Sequence, residues 1–222
     1  PGKDAGPVDT SKPKPSELCN GKDDDGDGAI DEWELGSNES CVVKVPAGAY
    51  LMGCNAGTKG CEPDEHPAHE VSLSAFSMDR NPVTQSQWNA CIIAGKCPTP
   101  DHDFSPLKKP DYPVVMVTWA AASTFCVWRG GRLPTEAEWE RVATGGKGRP
   151  WPWGSIPPDC TRCNVKGCGD VTKRVGSTGA LGASFEGAYD LAGNVREWVI
   201  DQYDPTGYSA AGGHNPAQQR MK

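Results

Sequence analysis

Long apolar runs are missing from this sequence. The longest, Val114–Trp128, is interrupted by Thr118, Ser123 and Thr124. It falls short of the roughly 20 residues a membrane helix needs, so no span is expected. No basic region followed by an apolar core opens the chain, so no signal peptide is read there. Excess positive charge is missing too: 22 Lys and Arg stand against 29 Asp and Glu, a net charge of −7. Nucleic-acid surfaces need clustered cations, so no nucleic-acid partner is expected. Familiar catalytic signatures are equally scarce. There is no phosphate-binding glycine loop, no G-x-S-x-G elbow and no internal repeat. His66 and His69 lie among Glu62, Asp64, Glu65 and Glu70 on a proline-containing loop. Their spacing of three is not the i,i+4 helical spacing of a zinc protease.

Cysteine, by contrast, is abundant: ten residues, an even number, several in close pairs. Cys54 and Cys61 bracket one short loop, and Cys91 and Cys97 another. Such loops suit local disulfides in an oxidising compartment, which places the protein outside the cell, in a periplasm or on a cell surface. The expected bridges are Cys54–Cys61, Cys91–Cys97 and Cys19–Cys41, with Cys160 or Cys163 joined to Cys168. The rival reading of Cys160, Cys163 and Cys168 is a partial zinc knuckle, but no nearby His completes it.

The chain divides by texture. Residues 1–18 are rich in Pro, Gly, Lys and Asp and read as a disordered linker or tail, of the kind that spaces a domain from a lipid anchor. Residues 19–41 form a small acidic unit, and 42–222 read as the main domain. Strands are expected at Val42–Val45, Tyr50–Met52 and Val71–Met78. Thr84-x-x-Gln87 and Thr135-x-x-Glu138 are capping-box patterns that open helices, and Thr118 caps a third running to about Trp128. Trp119, Trp128, Trp139 and Trp198 read as core aromatics. Arg132 with Glu136, Glu138 and Glu140 reads as a source of partly buried ion pairs.

The acidity is local. Asp23–Glu34 holds seven acids and no base, which leaves 22 acids against 22 bases elsewhere. Asp23, Asp25 and Asp27 alternate ahead of Gly28, Ile30, Asp31 and Glu34, the D-x-D-x-D-G pattern of a calcium loop. Calcium takes about six to eight oxygen ligands. Asp23, Asp25, Asp27, Asp31 and Glu34 would give carboxylates and Ala29 a carbonyl, while Gly28 permits the turn. A bare run of carboxylates repels itself unless a cation neutralises it. The segment resembles the CNGxDDDCDGxxDE motif of metal-binding modules in bacterial surface proteins, with Gly26 where that motif often has Cys.

Further along stand GGRLPTEAEWERVATGG, PWPWG and YDLAGNVREWVID, preceded in order by VPAGAYLMG, EPDEHPAHEVSLSAFSMDRNPVTQSQW and YPVVMVTWAAASTFCVWRGG. Together these resemble the formylglycine-generating enzyme (sulfatase-modifying factor) family from about Val45 to Asn215. Arg196 departs from the family's usual Trp, and His66 from its usual charged or polar residue. The resemblance implies an irregular, loop-rich α+β fold related to C-type lectins, with little regular secondary structure. It also implies two calcium sites: Asn164, Val165, Asp170 and Thr172, and Asp190, Gly193, Val195 and Glu197. The bland alternative for the second is a simple turn with Asn194 in a left-handed conformation.

The same resemblance places the oxidase's copper-binding cysteine pair beyond an RGGS-type segment and a GFR strand. No cysteine follows Cys168, so the family's catalytic and cofactor residues are assigned to none here. Relative to the family the domain looks C-terminally truncated. Cys126, whose counterpart often pairs with a tail cysteine, is then free or paired with Cys163. Three readings follow. The first is a secreted or surface-anchored calcium-binding structural or interaction module, completed on its C-terminal side by a protein partner or neighbouring subunit. The second is a formylglycine-generating or related oxidoreductase, and the third a calcium-dependent carbohydrate-binding module. The first is preferred, because fold analogy alone is a poor warrant for activity.

Overall fold

The computed structural model describes residues 41–54 and 61–204 and the backbone of 213–214. The linker, the acidic segment with its candidate ligands Asp23, Asp25, Asp27, Ala29, Asp31 and Glu34, and Cys19 lie outside the described residues. Within them the fold is α+β with few regular elements. Two small sheets and three short helices are joined by long loops.

Strands β1 (Val42–Val45) and β4 (Phe76–Asp79) pair antiparallel, with Val42 opposite Asp79 and Val45 opposite Phe76. Strands β2 (Gly48–Met52) and β3 (His69–Leu73) form a second antiparallel ladder, to which β5 (Gly213–His214) adds parallel to β3. The single strand expected over Val71–Met78 is therefore two strands. The chain breaks at Ser74–Ala75 because its first half serves one sheet and its second half the other.

The helices begin where their caps are. Helices α1 (Gln85–Ile93), α2 (Trp119–Trp128) and α3 (Glu136–Thr144) follow Thr84, Thr118 and Thr135, each hydroxyl accepting from a first-turn N–H. Two of the three caps are full capping boxes, at Thr84/Gln87 and Thr135/Glu138. Helix α3 stops at Gly145, whose φ of 60° is the left-handed cap that glycine adopts without strain.

Helix α3 lies against both sheets. Val142 and Ala143 join Val43 and Val45 of β1 in one buried cluster, while Ala137 joins Tyr50, Met52, Val71 and Leu73 in a second. The Tyr50 hydroxyl donates to the Ala137 carbonyl at 2.6 Å. A third cluster holds Trp88 and Phe125, stacked at 5.3 Å, with Cys91, Cys97 and Ala121.

Bridges Cys54–Cys61, Cys91–Cys97 and Cys160–Cys168 are present, and Cys163 and Cys126 are free thiols. Cys41 is buried and disulfide-bonded. The knuckle reading fails, because the sulfurs of Cys160 and Cys168 are bonded to each other. Trp119 and Trp198 are also not core aromatics: they are 41% and 49% exposed. Their indole N–H groups instead tie two loops crosswise, Trp119 to the Val199 carbonyl at 2.8 Å and Trp198 to the Val117 carbonyl at 3.1 Å. An indole with its N–H satisfied at the surface has no need of a core position.

Arg132 grips Glu138 with two guanidinium nitrogens at 2.7 and 2.6 Å, and Glu138 also accepts from the Thr135 N–H. Burial would raise the Glu138 pKa, but Arg132 and the Thr135 N–H outweigh it and hold it below the usual range. A depressed folded pKa gives stability above the unfolded carboxylate pKa of about 4.3, lost as pH falls through the folded value. Glu138→Gln should therefore cost about 2 kcal/mol at neutral pH. In thermal melts across the acid range, the gap to wild type should shrink below about pH 4. A gap that stayed constant down to pH 3 would contradict this.

Candidate functional site

Two loops gather the oxygen donors that the sequence marks. In the first, the Cys160–Cys168 bridge closes a loop in which the Cys168 N–H donates to the Val165 carbonyl at 2.9 Å. The Gly167 N–H donates to Asp170, whose φ is 52°. Asn164 donates to the Val171 carbonyl at 2.8 Å, beside Thr172. In the second, Asp190, Gly193 and Asn194 all have positive φ, and the Val195 N–H donates to the Gly193 carbonyl at 2.8 Å. The chain thus folds back within eight residues, which brings Asp190 and Glu197 into electrostatic contact.

These two acids are held away from their ordinary state. Asp190 is buried and accepts the Gly176 N–H at 2.7 Å, yet burial still raises its pKa. The Glu197 pKa is pushed up to about 7, first by burial and then by the charges of Asp190 and Asp79, against a hydrogen bond from Trp139. That indole N–H lies 2.5 Å from the carboxylate. Burial raises both acids, and the Asp190 charge raises Glu197 further; a hard divalent cation held by these two carboxylates would reverse both shifts. The first loop offers the same chemistry with one carboxylate, Asp170, and the amide of Asn164.

Beside the second loop lies a groove of about 450 Å³. Trp88 and Phe125 form part of its lining, and Cys126 and Trp198 border it. All four consecutive residues of β4, Phe76–Asp79, line it. Alternate strand residues point to opposite faces, so a groove touching all four runs along the strand's edge. Among the described residues that edge of β4 carries no partner strand. Two ion pairs stand at the rim, Arg129 with Asp79 at 3.0 Å and Arg132 with Glu138, and Arg196 and Glu197 also line the groove. Asn81 presents a buried side-chain oxygen with no hydrogen-bond partner among the described residues.

The thiol in this groove is quiet. Burial, with the Asp79 charge adding and Arg129 opposing, pushes Cys126 up to about 11. Burial likewise raises Cys163, with Asp159 adding. Nucleophilic and copper-binding cysteines act as thiolates, and these two are held as thiols. Among the described residues, Cys54, Cys61 and Glu65 come together as metal ligands might, but both sulfurs are consumed in a disulfide. His69 sits on β3 with its ring near the Pro67 carbonyl, apart from that grouping.

Sequence reasoning supplied the candidate ligands of both loops through resemblance alone. It missed the Trp139–Glu197 hydrogen bond, because a tryptophan in an apolar pattern reads as core. It noted the left-handed Asn194 but not what its side chain holds, and it passed over Asn81.

The family model for the sulfatase-modifying factor enzyme 1-like domain matches residues 30–221. The chain is 32% identical over 197 residues to hercynine oxygenase of Mycolicibacterium smegmatis, covering 73% of this chain and 46% of that protein. It is 31% identical over 227 residues to the inactive C-alpha-formylglycine-generating enzyme 2 of Mus musculus, covering 77% of this chain and 72% of that one. The chain thus spans about half the length of the first relative and nearly three quarters of the second. Among solved structures it resembles PvdO from Pseudomonas aeruginosa, with a TM-score of 0.66 and 26% identity over 82% of this chain and 77% of that chain.

The groove thiol gives a direct check. With a pKa near 11, Cys126 should alkylate slowly in native protein at pH 8.5 and rapidly only above about pH 10. Iodoacetamide labelling followed by peptide mass mapping reads this. Fast labelling of Cys126 at pH 7 would show an activated thiol.

Proposed function

The chain belongs to the sulfatase-modifying factor enzyme 1-like family, and from that premise we propose that it is a calcium-stabilised binding module. Its relatives include proteins named as an oxygenase and as an inactive formylglycine-generating enzyme, so membership alone does not choose a chemistry. The observation that carries the reading is the groove: an open apolar surface along a strand edge, with a thiol held neutral beside it. A strand edge and apolar pockets serve recognition. A neutral, half-buried thiol does not serve cysteine oxidation.

On this reading the occupant is an extended, uncharged polypeptide segment from a neighbouring chain. Its backbone pairs with β4, and its side chains enter the space bounded by Trp88, Phe125 and Trp198. The apolar walls favour an uncharged segment, since the charges of Arg129, Asp79, Arg132 and Glu138 are spent on one another. The buried oxygen of Asn81 offers an acceptor to such a backbone.

Calcium has a structural role here. Asp190 and Glu197 would hold it with the Gly193 and Val195 carbonyls, and Asn164 and Asp170 would hold a second ion with the Val165 and Thr172 carbonyls. Bound calcium supplies positive charge that neutralises these acids. The chain's own residues do the positioning: Trp139 orients Glu197, and the Gly176 N–H orients Asp190. Asp23, Asp25, Asp27, Ala29, Asp31 and Glu34 would form a separate site in the acidic segment. The three described disulfides are consistent with an oxidising compartment. We place the protein outside the cell, in a periplasm or on a surface, with residues 1–18 as a spacer to a lipid anchor.

Chelation should lower the melting temperature by about 5–10 °C, the shift for an ion held at about 100 times its Kd in a domain of this size. Asp190→Ala should reproduce most of that loss, whereas Asp25→Ala should leave the main transition in place. An identical melt in EDTA, with no calcium by elemental analysis, would sink the calcium reading.

Native material should show the groove filled. Light scattering during size exclusion, with intact mass under native conditions, should find an oligomer or a bound peptide. A monodisperse 23.6 kDa monomer carrying no peptide and stable on dilution would refute the partner reading.

A further inference from the structure

The two oxygen-lined loops share one side chain. Asn194 belongs to neither ligand set, yet its amide uses both ends on the first loop. Its oxygen accepts from the Lys173 N–H at 2.9 Å and from the Asn164 amide at 3.2 Å. Its nitrogen donates to the Lys173 carbonyl at 3.1 Å. The residue itself stands in the second loop between Gly193 and Val195, and its amide lowers the Asp190 pKa against the effect of burial. Its backbone N–H donates to the Asn164 carbonyl at 2.8 Å. Asn164 of the first candidate ligand set is therefore hydrogen-bonded to Asn194 through both side chain and backbone, and Asn194 is flanked in the chain by Gly193 and Val195 of the second set.

The backbones are pressed together at the same point. A Cβ on Gly193 would sit 2.6 Å from the Asn164 carbonyl oxygen, and the φ of Gly193 is 107°. Only glycine permits that approach. Asn194 itself has φ 61°, a left-handed conformation that asparagine tolerates better than most residues. The backbone thus aims the amide, and the amide clamps both loops.

Resting on the calcium reading above, we infer that Asn194 couples the two calcium loops, so that filling either one tightens the other. Ordering one loop around an ion fixes Asn164 and Lys173, and through them the Asn194 amide. That amide then holds Asp190 where the second ion needs it, so the second ion orders less chain on binding. Coupling between two binding sites is reciprocal, so the same factor runs in both directions. Asn194 is a positioning residue: its amide is spent on protein groups.

A simple structural turn makes a different prediction. There, loss of the Asn194 side chain would weaken both sites and lower the melting temperature, but an interdependence of the sites would survive or never have existed. The experiment therefore reads interdependence. It uses the full chain carrying Asp25→Ala, so that the acidic segment does not contribute. Terbium, which takes calcium's oxygen sites, is excited through Trp139, whose indole is bonded to Glu197, so its luminescence reports the second loop. Calorimetric titration with calcium follows both.

Asp170→Ala, which removes the first site's carboxylate, should weaken terbium binding at the second loop about tenfold. Asp190→Ala should weaken calcium at the first loop by the same factor. In Asn194→Gly, which keeps the left-handed backbone and the N–H to Asn164, adding Asp170→Ala should weaken the second loop no further. Asn194→Asp, close in shape but without the donor, provides a second variant should the glycine protein not fold; it too should shrink the factor. Unchanged terbium affinity in Asp170→Ala would overturn the coupling, and so would a tenfold factor that persists in the Asn194 variants. A wild-type protein giving neither calcium heat nor sensitised terbium emission would overturn the calcium reading, and this inference with it.

Discussion

Burial of helix α3 against both sheets is the contact on which the rest depends. Nine residues present Ala137 to the β2–β3 sheet and Val142 with Ala143 to the β1 side. Tyr50 fixes the helix from one sheet through the Ala137 carbonyl, and Glu140 receives the Gly53 N–H at the end of β2. With only two small sheets and no long helix, no other described element touches both clusters with buried side chains. The helix also exports order. Its Trp139 holds Glu197, and its first turn takes Asp201 on the Glu136 N–H at 2.8 Å. The candidate site is therefore anchored to the core through side chains of α3.

Local chemistry was legible in the sequence, and long-range chemistry was not. Thr84, Thr118 and Thr135 announced their helices because a cap is decided within four residues. The bridges at Cys54–Cys61 and Cys91–Cys97 were readable for the same reason. Between Cys160 and Cys163 as partner for Cys168, spacing did not decide, since both are close enough. Trp119 and Trp198 were misplaced because each is satisfied by a carbonyl about 80 residues away, which periodicity cannot register. The break at Ser74–Ala75 was hidden for a related reason: an apolar stretch does not say how many sheets it serves. The candidate ligand residues came from motif resemblance. The hydrogen bonds that orient them, from Trp139, Gly176 and Asn194, came only from the fold.

Family membership and local chemistry carry different kinds of information here. The family shares a scaffold among proteins named for distinct chemistries and one named as inactive. The environment of particular groups speaks for this chain itself. Cys126 is surrounded by apolar side chains and an acid, which favours the thiol. Burial and the Asp190 charge push Glu197 toward its protonated form, which a bound cation would reverse. The same low-polarity surroundings produce both outcomes, since burial penalises any uncompensated negative charge.

The three described disulfides join cysteines only 6, 7 and 8 residues apart. Each can close within its own short loop, without waiting for distant parts of the chain. Nothing in their pattern requires waiting for the sheets to assemble, and little of it can be scrambled by pairing across the molecule. Oxidative maturation of this part of the protein is thus decoupled from tertiary folding. The third loop is the exception, since Cys163 stands free between Cys160 and Cys168, so any need for a disulfide isomerase should be confined to that bridge.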